Sequence, residues 1–201
     1  MSRWQPDARE RLESAALELF TAHGFAEITV PQITARAGLT TRTFFRHFAD
    51  KREVLFADEG GLPNLAARMI AEAPESESPM QIIADNFAAV AAAQFAGGAE
   101  LFRARKAVID SDQGLHEREL RKISALSDAM HAGFVARGID QLTASLVAQV
   151  TVTVFGTSIG RWLAEPDGDA ASLAILLRAT LTSLRAVMAD PGWDDSVEQT
   201  G

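Results

Sequence analysis

The sequence predicts an all-α protein: a three-helix head over residues 1–50, a helical bundle over 51–190 and a disordered tail over 191–201, about nine helices in all. Three observations lead there. Apolar residues recur at helical spacing through most of the 201 residues. Glycine, proline and hydroxyl or carboxylate residues punctuate these runs at capping positions. Strand-like alternation is confined to Val150-Thr-Val-Thr-Val154, which no turn signal brackets.

Caps and turns dictate the head. Pro6 and Asp7 open a first helix over 6–23, whose Leu12, Ala15, Ala16, Leu19 and Phe20 share a face, and Gly24 closes it. Thr29 caps a second helix beginning at Val30, with Pro31 in its first turn, where a missing N–H costs nothing. Ile33 and Ala37 point inward, Gly38 permits a tight turn and Leu39 plugs the core beneath it. Thr40 caps a third helix, anchored by Phe44 and Phe48 four residues apart.

The body reads as a series of longer helices. One is expected from Lys51 toward Ala73, interrupted at Gly60, Gly61 and Pro63 by either a hinge or a plain loop. Pro74 to Pro79 is a polar connector. Helices follow near 79–96, 99–110, 113–137, 140–164 and 169–188, broken at Gly97-Gly98, Gly138 and Pro166-Asp-Gly-Asp. From Gln141 to Ala164 only Arg161 is charged, so this helix must be buried on several sides. Threonine, serine and glutamine interrupt its run Leu142–Gly160, which reads as a poor membrane span.

Charge separates the two parts. Residues 1–56 carry eight bases and seven acids, net +1, whereas the rest carries eleven and twenty, net −9, which together give −8. Within 36–52 there are five bases and one acid, so the local field is positive where phosphates would meet it. Cysteine is absent, which excludes disulfides and thiol chemistry and suits a reducing cytoplasm. No secretory signal opens the chain.

The third helix has the division of labour that reading a DNA major groove requires: an apolar face fixes its angle and short polar or arginine side chains reach outward. Arg42 is the candidate base reader, because a guanidinium pairs with two acceptors on guanine. Thr40 and Thr41 suit phosphate or thymine-methyl contact, and Lys51 suits a backbone phosphate. Thr29, Thr43, Phe45, Arg46 and His47 complete the candidate DNA-binding set. Arg46 and Arg52 could equally be solvated, and Arg36 reads as a surface or ion-pair residue.

Thr29, Val30, Ile33, Ala37, Gly38, Thr43, His47, Phe48, Lys51 and Leu55 fall in the pattern of the TetR family of transcriptional regulators, whose DNA-binding domain this segment resembles. Leu39, Thr40 and Phe44 are conservative replacements. The variant Thr-Arg-Thr-Phe-Phe-Arg-His-Phe resembles a subset of such regulators from high-GC actinobacteria. The family's usual tyrosine is Phe45 here, and the chain has no tyrosine. A phenol donor to phosphate is therefore missing, and an altered backbone contact is expected.

The resemblance implies a bacterial homodimer through its last two helices, a palindromic double-stranded operator and a small, mainly apolar effector bound in the body. Ala144, Ala148, Gly156 and Gly160 are small enough for close approach between dimer mates, beside a stripe of Leu173, Leu176, Leu177, Leu181 and Leu184. Candidate pocket residues are Phe87, Phe95, Phe102, Met130, His131, Phe134, Phe155 and Trp162, with Arg103, Arg105 or Asn86 as further polar anchors. Aromatics at helical spacing are also what a plain core requires. No cofactor and no metal are expected.

Two other readings are weaker. A helical-bundle enzyme would need paired Glu-x-x-His elements. The chain offers Asp128-Ala-Met-His131 alone, its histidines 23, 47, 116 and 131 lack zinc spacing, and no serine elbow, P-loop or dinucleotide fingerprint occurs. A nonspecific DNA-binding protein would need a broader positive surface than this acidic chain has. A ligand-responsive repressor, released from its operator by the effector, is the expected regulator, although these residues alone do not decide between repressor and activator.

Overall fold

The computed structural model describes residues 7–56 and 61–189. All regular elements among them are helical: α1 (Ala8–His23), α2 (Val30–Ala37), α3 (Thr41–His47), a 3-10 turn (Glu53–Leu55), α4 (Gly61–Glu72), α5 (Pro79–Gln94), α6 (Gly98–Asp110), α7 (Gln113–Ala136), α8 (Gln141–Ala164) and α9 (Ala170–Met188). Val150–Val154 lies inside α8, where length and capping outweigh the alternation. The expected tail and Gly60 lie outside the described residues.

One expected element differs. No helix begins at Lys51; residues 51–56 form a turn and the 3-10 segment. Asp50 is the physical reason. Its Oδ1 accepts from the backbone N–H of Arg52 and Glu53 at 2.7 and 3.0 Å, and the Glu53 carboxylate reaches back to Ala49 N–H. These side-chain bonds compete with a helical ladder. Gly61 and Pro63 then fall in the first turn of α4, where proline is tolerated.

The head core gathers Leu12, Ala16 and Phe20 of α1, Ile33 of α2, Phe44 and Phe48, then Val54, Leu55 and Phe56. Val108, Ile109 and Leu115, from the corner between α6 and α7, complete the same cluster. The body core forms where α7 packs on α4 and α8, and where α9 packs on α5 and α8.

Aspartates cap three long body helices. Asp112, Asp140 and Asp169 accept from the N–H of Leu115, Thr143 and Ser172 at 3.0, 3.0 and 2.7 Å. Two arginines serve the opposite ends. Arg103 donates to the Leu163 and Glu165 carbonyls at the C-terminal end of α8, and Arg137 to the Ile70, Ala73 and Pro74 carbonyls at that of α4, all at 2.7–2.9 Å. Both satisfy carbonyls that a helix end leaves orphaned.

By length and composition α8 and α9 could each cross a bilayer, so the polar residues of α8 do not make it too polar to span, contrary to expectation. The structure gives their apolar faces another use. Leu173, Leu176, Leu177 and Leu181 are buried within the protomer, as are Ala144 and Ala148. This corrects their expected place on a dimer face: the leucines face α5 and α8, and the two alanines pack in the cluster of Ile70, Leu126, Met130 and Phe134. Leu142, Leu146, Ile175, Val187 and Met188 stay exposed on the same two helices, and a Cβ added at Gly156 or Gly160 would meet no atom within 4 Å.

Candidate nucleic-acid interface

Local chemistry builds the turn. Thr29 closes a capping box with Gln32, whose Oε1 accepts from Thr29 N–H and hydroxyl at 2.8 and 2.7 Å. Gly38 takes a left-handed conformation, φ 65° and ψ 36°, and its N–H and that of Leu39 close onto Ala35 and Thr34 carbonyls. The guanidinium of Arg11, reaching from α1, donates to the Ala37 carbonyl, so the turn is held from beneath. Thr40 Oγ1 accepts from Thr43 N–H at 3.1 Å and starts α3.

α3 is anchored by its aromatic face. Phe44 is wholly buried and Phe48 nearly so, their rings 5.3 Å apart. Arg9 lies 5.7 Å over the Phe48 ring from α1. Buried this way, the short helix has one orientation relative to α1 and α2. Thr41, Arg42, Phe45 and Arg46 then face outward together, with Phe45 59% exposed. A large apolar ring left in water beside two arginines suits packing against a sugar-phosphate backbone.

The remaining candidates divide. Thr40 and Thr43 share a hydroxyl hydrogen bond of 3.0 Å, and Thr29 donates to Gln32, so these threonines help build the helix starts. His47 is half-buried, 3.4 Å from Arg46 Nη2. Arg36 pairs with Glu18 at 2.6 Å, as the sequence suggested.

Lys51 is the exception. Its Nζ donates to the carbonyls of Phe25, Ala26 and Ile28 at 2.8, 3.2 and 2.8 Å and lies 4.3 Å from the Phe25 ring centroid. An ammonium has three donors, and all three point into the protein. Lys51 therefore closes the α1–α2 loop. No local pattern signals this role, because its partners lie more than twenty residues away; the role of Arg11 is hidden for the same reason. Gln32, by contrast, could have been read from the Thr-x-x-Gln spacing.

Residues 13–57 match the family of bacterial regulatory proteins of the tetR type. The chain is also 30% identical over 188 residues to the HTH-type transcriptional regulator TcmR of Streptomyces glaucescens, covering 88% of this chain and 82% of that one. The chain belongs to the TetR family. It is a DNA-binding transcriptional regulator, and α2 and α3 are its helix-turn-helix. The TetR fold extends over the body. SmeT, in a complex with triclosan, superposes with a TM-score of 0.58 at 20% identity, over 92% of this chain and 91% of that one. Thermus thermophilus FadR, in complex with lauroyl-CoA, gives 0.53 at 22% identity over 96% and 100%.

In the TetR body the expected pocket residues do not converge. Phe87, Met130 and Phe155, with Asn86, line a cavity of about 30 Å³ together with residues of α4 and α7 such as Met69 and Leu126. Phe95, Phe102 and Trp162 pack on each other elsewhere, with ring centroids 4.9–5.7 Å apart, and the Trp162 indole N–H donates to the Asp169 carbonyl. Phe134 is buried in the core between α4, α7 and α8, and His131 is half-buried outside the cavity lining. Arg103 caps α8, as described, and Arg105 lies 5.6 Å over the Phe102 ring. Packing thus takes four of the eight candidates away from the cavity, and His131 falls outside its lining.

Asp110, His116 and Glu119 come close enough to hold a cation, a grouping that histidine spacing did not suggest. Lys106 Nζ lies among them, bonded to Asp110 and 3.3 Å from Glu119. Burial pulls the Lys106 pKa down, but these two carboxylates outweigh it and hold the ammonium above its ordinary value. The lysine charge is itself the cation of this cluster.

Proposed function

We propose that the chain is a cytoplasmic repressor that binds a palindromic operator as a homodimer and leaves it when an apolar effector enters the body. The observation that carries this reading is α3: its buried Phe44 and Phe48 present Thr41, Arg42, Phe45 and Arg46 as one outward face. In this reading residues 1–50 dock on DNA, with Arg42 reading a base and Phe45, Arg46, Thr40 and Thr41 setting the backbone register; residues 51–190 sense and dimerise.

The dimer is supported by the exposed Leu142, Leu146 and Ile175, beside the open faces of Gly156 and Gly160. The effector class is supported by the cavity's chemistry. Its two most polar lining groups are already satisfied: Asn86 donates to Ile82 carbonyl at 2.8 Å and Thr151 to Val147 carbonyl at 2.7 Å. What is left is apolar. A space of about 30 Å³ holds a water or two. In this reading the effector spreads the helices around the cavity and binds the spread conformation more tightly, which is the differential affinity a switch requires.

The test is selection of bound fragments from randomised duplexes at physiological salt. A palindrome with two half-sites is expected. Recovery of no motif from folded protein, with and without cell extract, would overturn the reading. Arg42→Ala should then lose about 1–3 kcal/mol of operator affinity and relax base preference at one position of each half-site.

A further inference from the structure

The apolar cavity lies where two core clusters meet. Met69 of α4 packs with Phe87 and Phe155, and Met130 of α7 with Ile70 and Ile82. All six line the cavity. Among the described residues no charged side chain does. Arg68, Asp85 and Asp128 stand on the same helices, and all three are exposed. Arg137, half-buried on α7, directs its guanidinium to the Ile70, Ala73 and Pro74 carbonyls. The Thr151 hydroxyl and the Asn86 amide already donate to carbonyls of their own helices. An anion here would meet no counter-charge and no ready set of donors, and burying it in such a place is costly. The wall also has two adaptable parts. Among the described lining residues only Met69 and Met130 are long, unbranched and apolar. A thioether chain turns about three bonds and refills irregular space, whereas isoleucine and valine are stiff at their first torsion.

We infer that this cavity admits only uncharged molecules, chosen by size and apolar surface and not by a functional group, and that Met69 and Met130 turn to fit different outlines. The inference rests on the cavity being the effector site of the proposed regulator. At about 30 Å³ the space holds no organic molecule until its wall moves. Turning two thioethers, one on α4 and one on α7, makes the first room before the helices spread. The Phe87 and Phe155 rings, with centroids 5.7 Å apart and planes at 79°, brace each other and form the rigid side of the site. Each sulfur keeps a favourable contact with whatever apolar group replaces its former neighbour. Several unrelated neutral compounds therefore share the site, and molecules carrying a carboxylate or a phosphate are rejected.

The experiment is calorimetric titration of the full chain, without DNA, with naphthalene, 1-naphthol, biphenyl and 1-naphthoate. The three neutral compounds are expected to fill one site per chain with affinities within about tenfold of one another. The carboxylate of 1-naphthoate, ionised at neutral pH, should weaken binding at least about a hundredfold. Met69→Leu/Met130→Leu keeps the volume and stiffens the wall, so its melting temperature before ligand should stay near that of wild type. Naphthalene should bind it at least about fivefold more weakly, and biphenyl more weakly still. If the double variant melts early, Met69→Leu alone, at a half-buried position, replaces it with a loss of about twofold expected. No saturable binding by any neutral compound, equal binding of 1-naphthoate, or unchanged affinities in the leucine variant would each overturn the inference. Neutral compounds that bind as expected yet leave operator affinity unchanged would instead sink the effector reading alone. A compound that releases the operator while no neutral compound fills the site would keep that reading and sink this one.

Discussion

Head and body are made of the same helices held by the same devices, yet the side chains of one announce their use and those of the other do not. In the head, seven residues of α3 carry both an anchor and an outward face, and the neighbouring turn, cap and charge all fall within one short stretch. In the body, a long helix such as α8 spends most of its length on packing, with Val147, Val154, Phe155 and Trp162 all buried. The difference lies in how far apart cooperating residues are in sequence. Helix-turn-helix chemistry is local, whereas a cavity wall draws its residues from four helices that span about ninety positions of the chain.

The strongest way to break this comparison is to remove an anchor. Phe44→Ala should cost about 3–5 kcal/mol in urea unfolding, with loss of operator binding. A loss under 1 kcal/mol would mean that α3 is not held by its aromatic face. Next is Gly168→Ala in the body. A Cβ there would come within 2.6 Å of Trp162 Nε1 and 2.8 Å of its Cδ1, so stability should fall by about 1–3 kcal/mol, read by thermal melting and indole fluorescence. Operator affinity well below the melting temperature should stay close to wild type; a specific loss would blur the division between head and body.

A smaller effect compares caps directly. Thr40→Ala at α3 should cost about 1 kcal/mol by denaturant titration, and Asp140→Ala at α8 should also lower the midpoint. Only the first should weaken operator binding. The smallest effect is in pH. Backbone N–H bonds from Thr143 and Ser172 are the main reason that Asp140 and Asp169 sit below their ordinary carboxylate value of 3.8. A folded-state pKa lowered in this way contributes stability above the unfolded value, and the contribution disappears as pH falls through the folded one. Wild type should therefore lose stability more steeply below about pH 4 than Asp140→Asn/Asp169→Asn, whose neutral caps do not titrate. Parallel acid-denaturation curves would contradict this.

These contrasts explain what the sequence could convey. Helix ends were legible to within two residues from Ser78 to Met188, because caps and glycines act on the chain that carries them. The start of α4 was not, because Asp50 and Glu53 bond to backbone and divert a run that reads as helical. Phe45, exposed, and Phe44, buried, stand adjacent on one helix, and the four-residue spacing from Phe44 to Phe48 told them apart. The leucines of α9 were placed on the wrong side: a stripe shows that a face is buried, not against which neighbour. Arg11, Lys51, Arg103 and Arg137 all end on backbone carbonyls at least 23 residues away. Nothing in a linear pattern distinguishes a cation of that kind from one reaching for phosphate.

Val108, Ile109 and Leu115 finish the core of the head although they follow it by more than fifty residues. Regulators of this kind are attractive parts for chimeric biosensors, in which one protein's reader is grafted onto another's receptor. A crossover made just after Phe56 would leave the head cluster to be completed by a foreign corner. A working splice should carry the segment from Val108 to Leu115 along with the reader, and natural recombination would be expected to respect the same pairing.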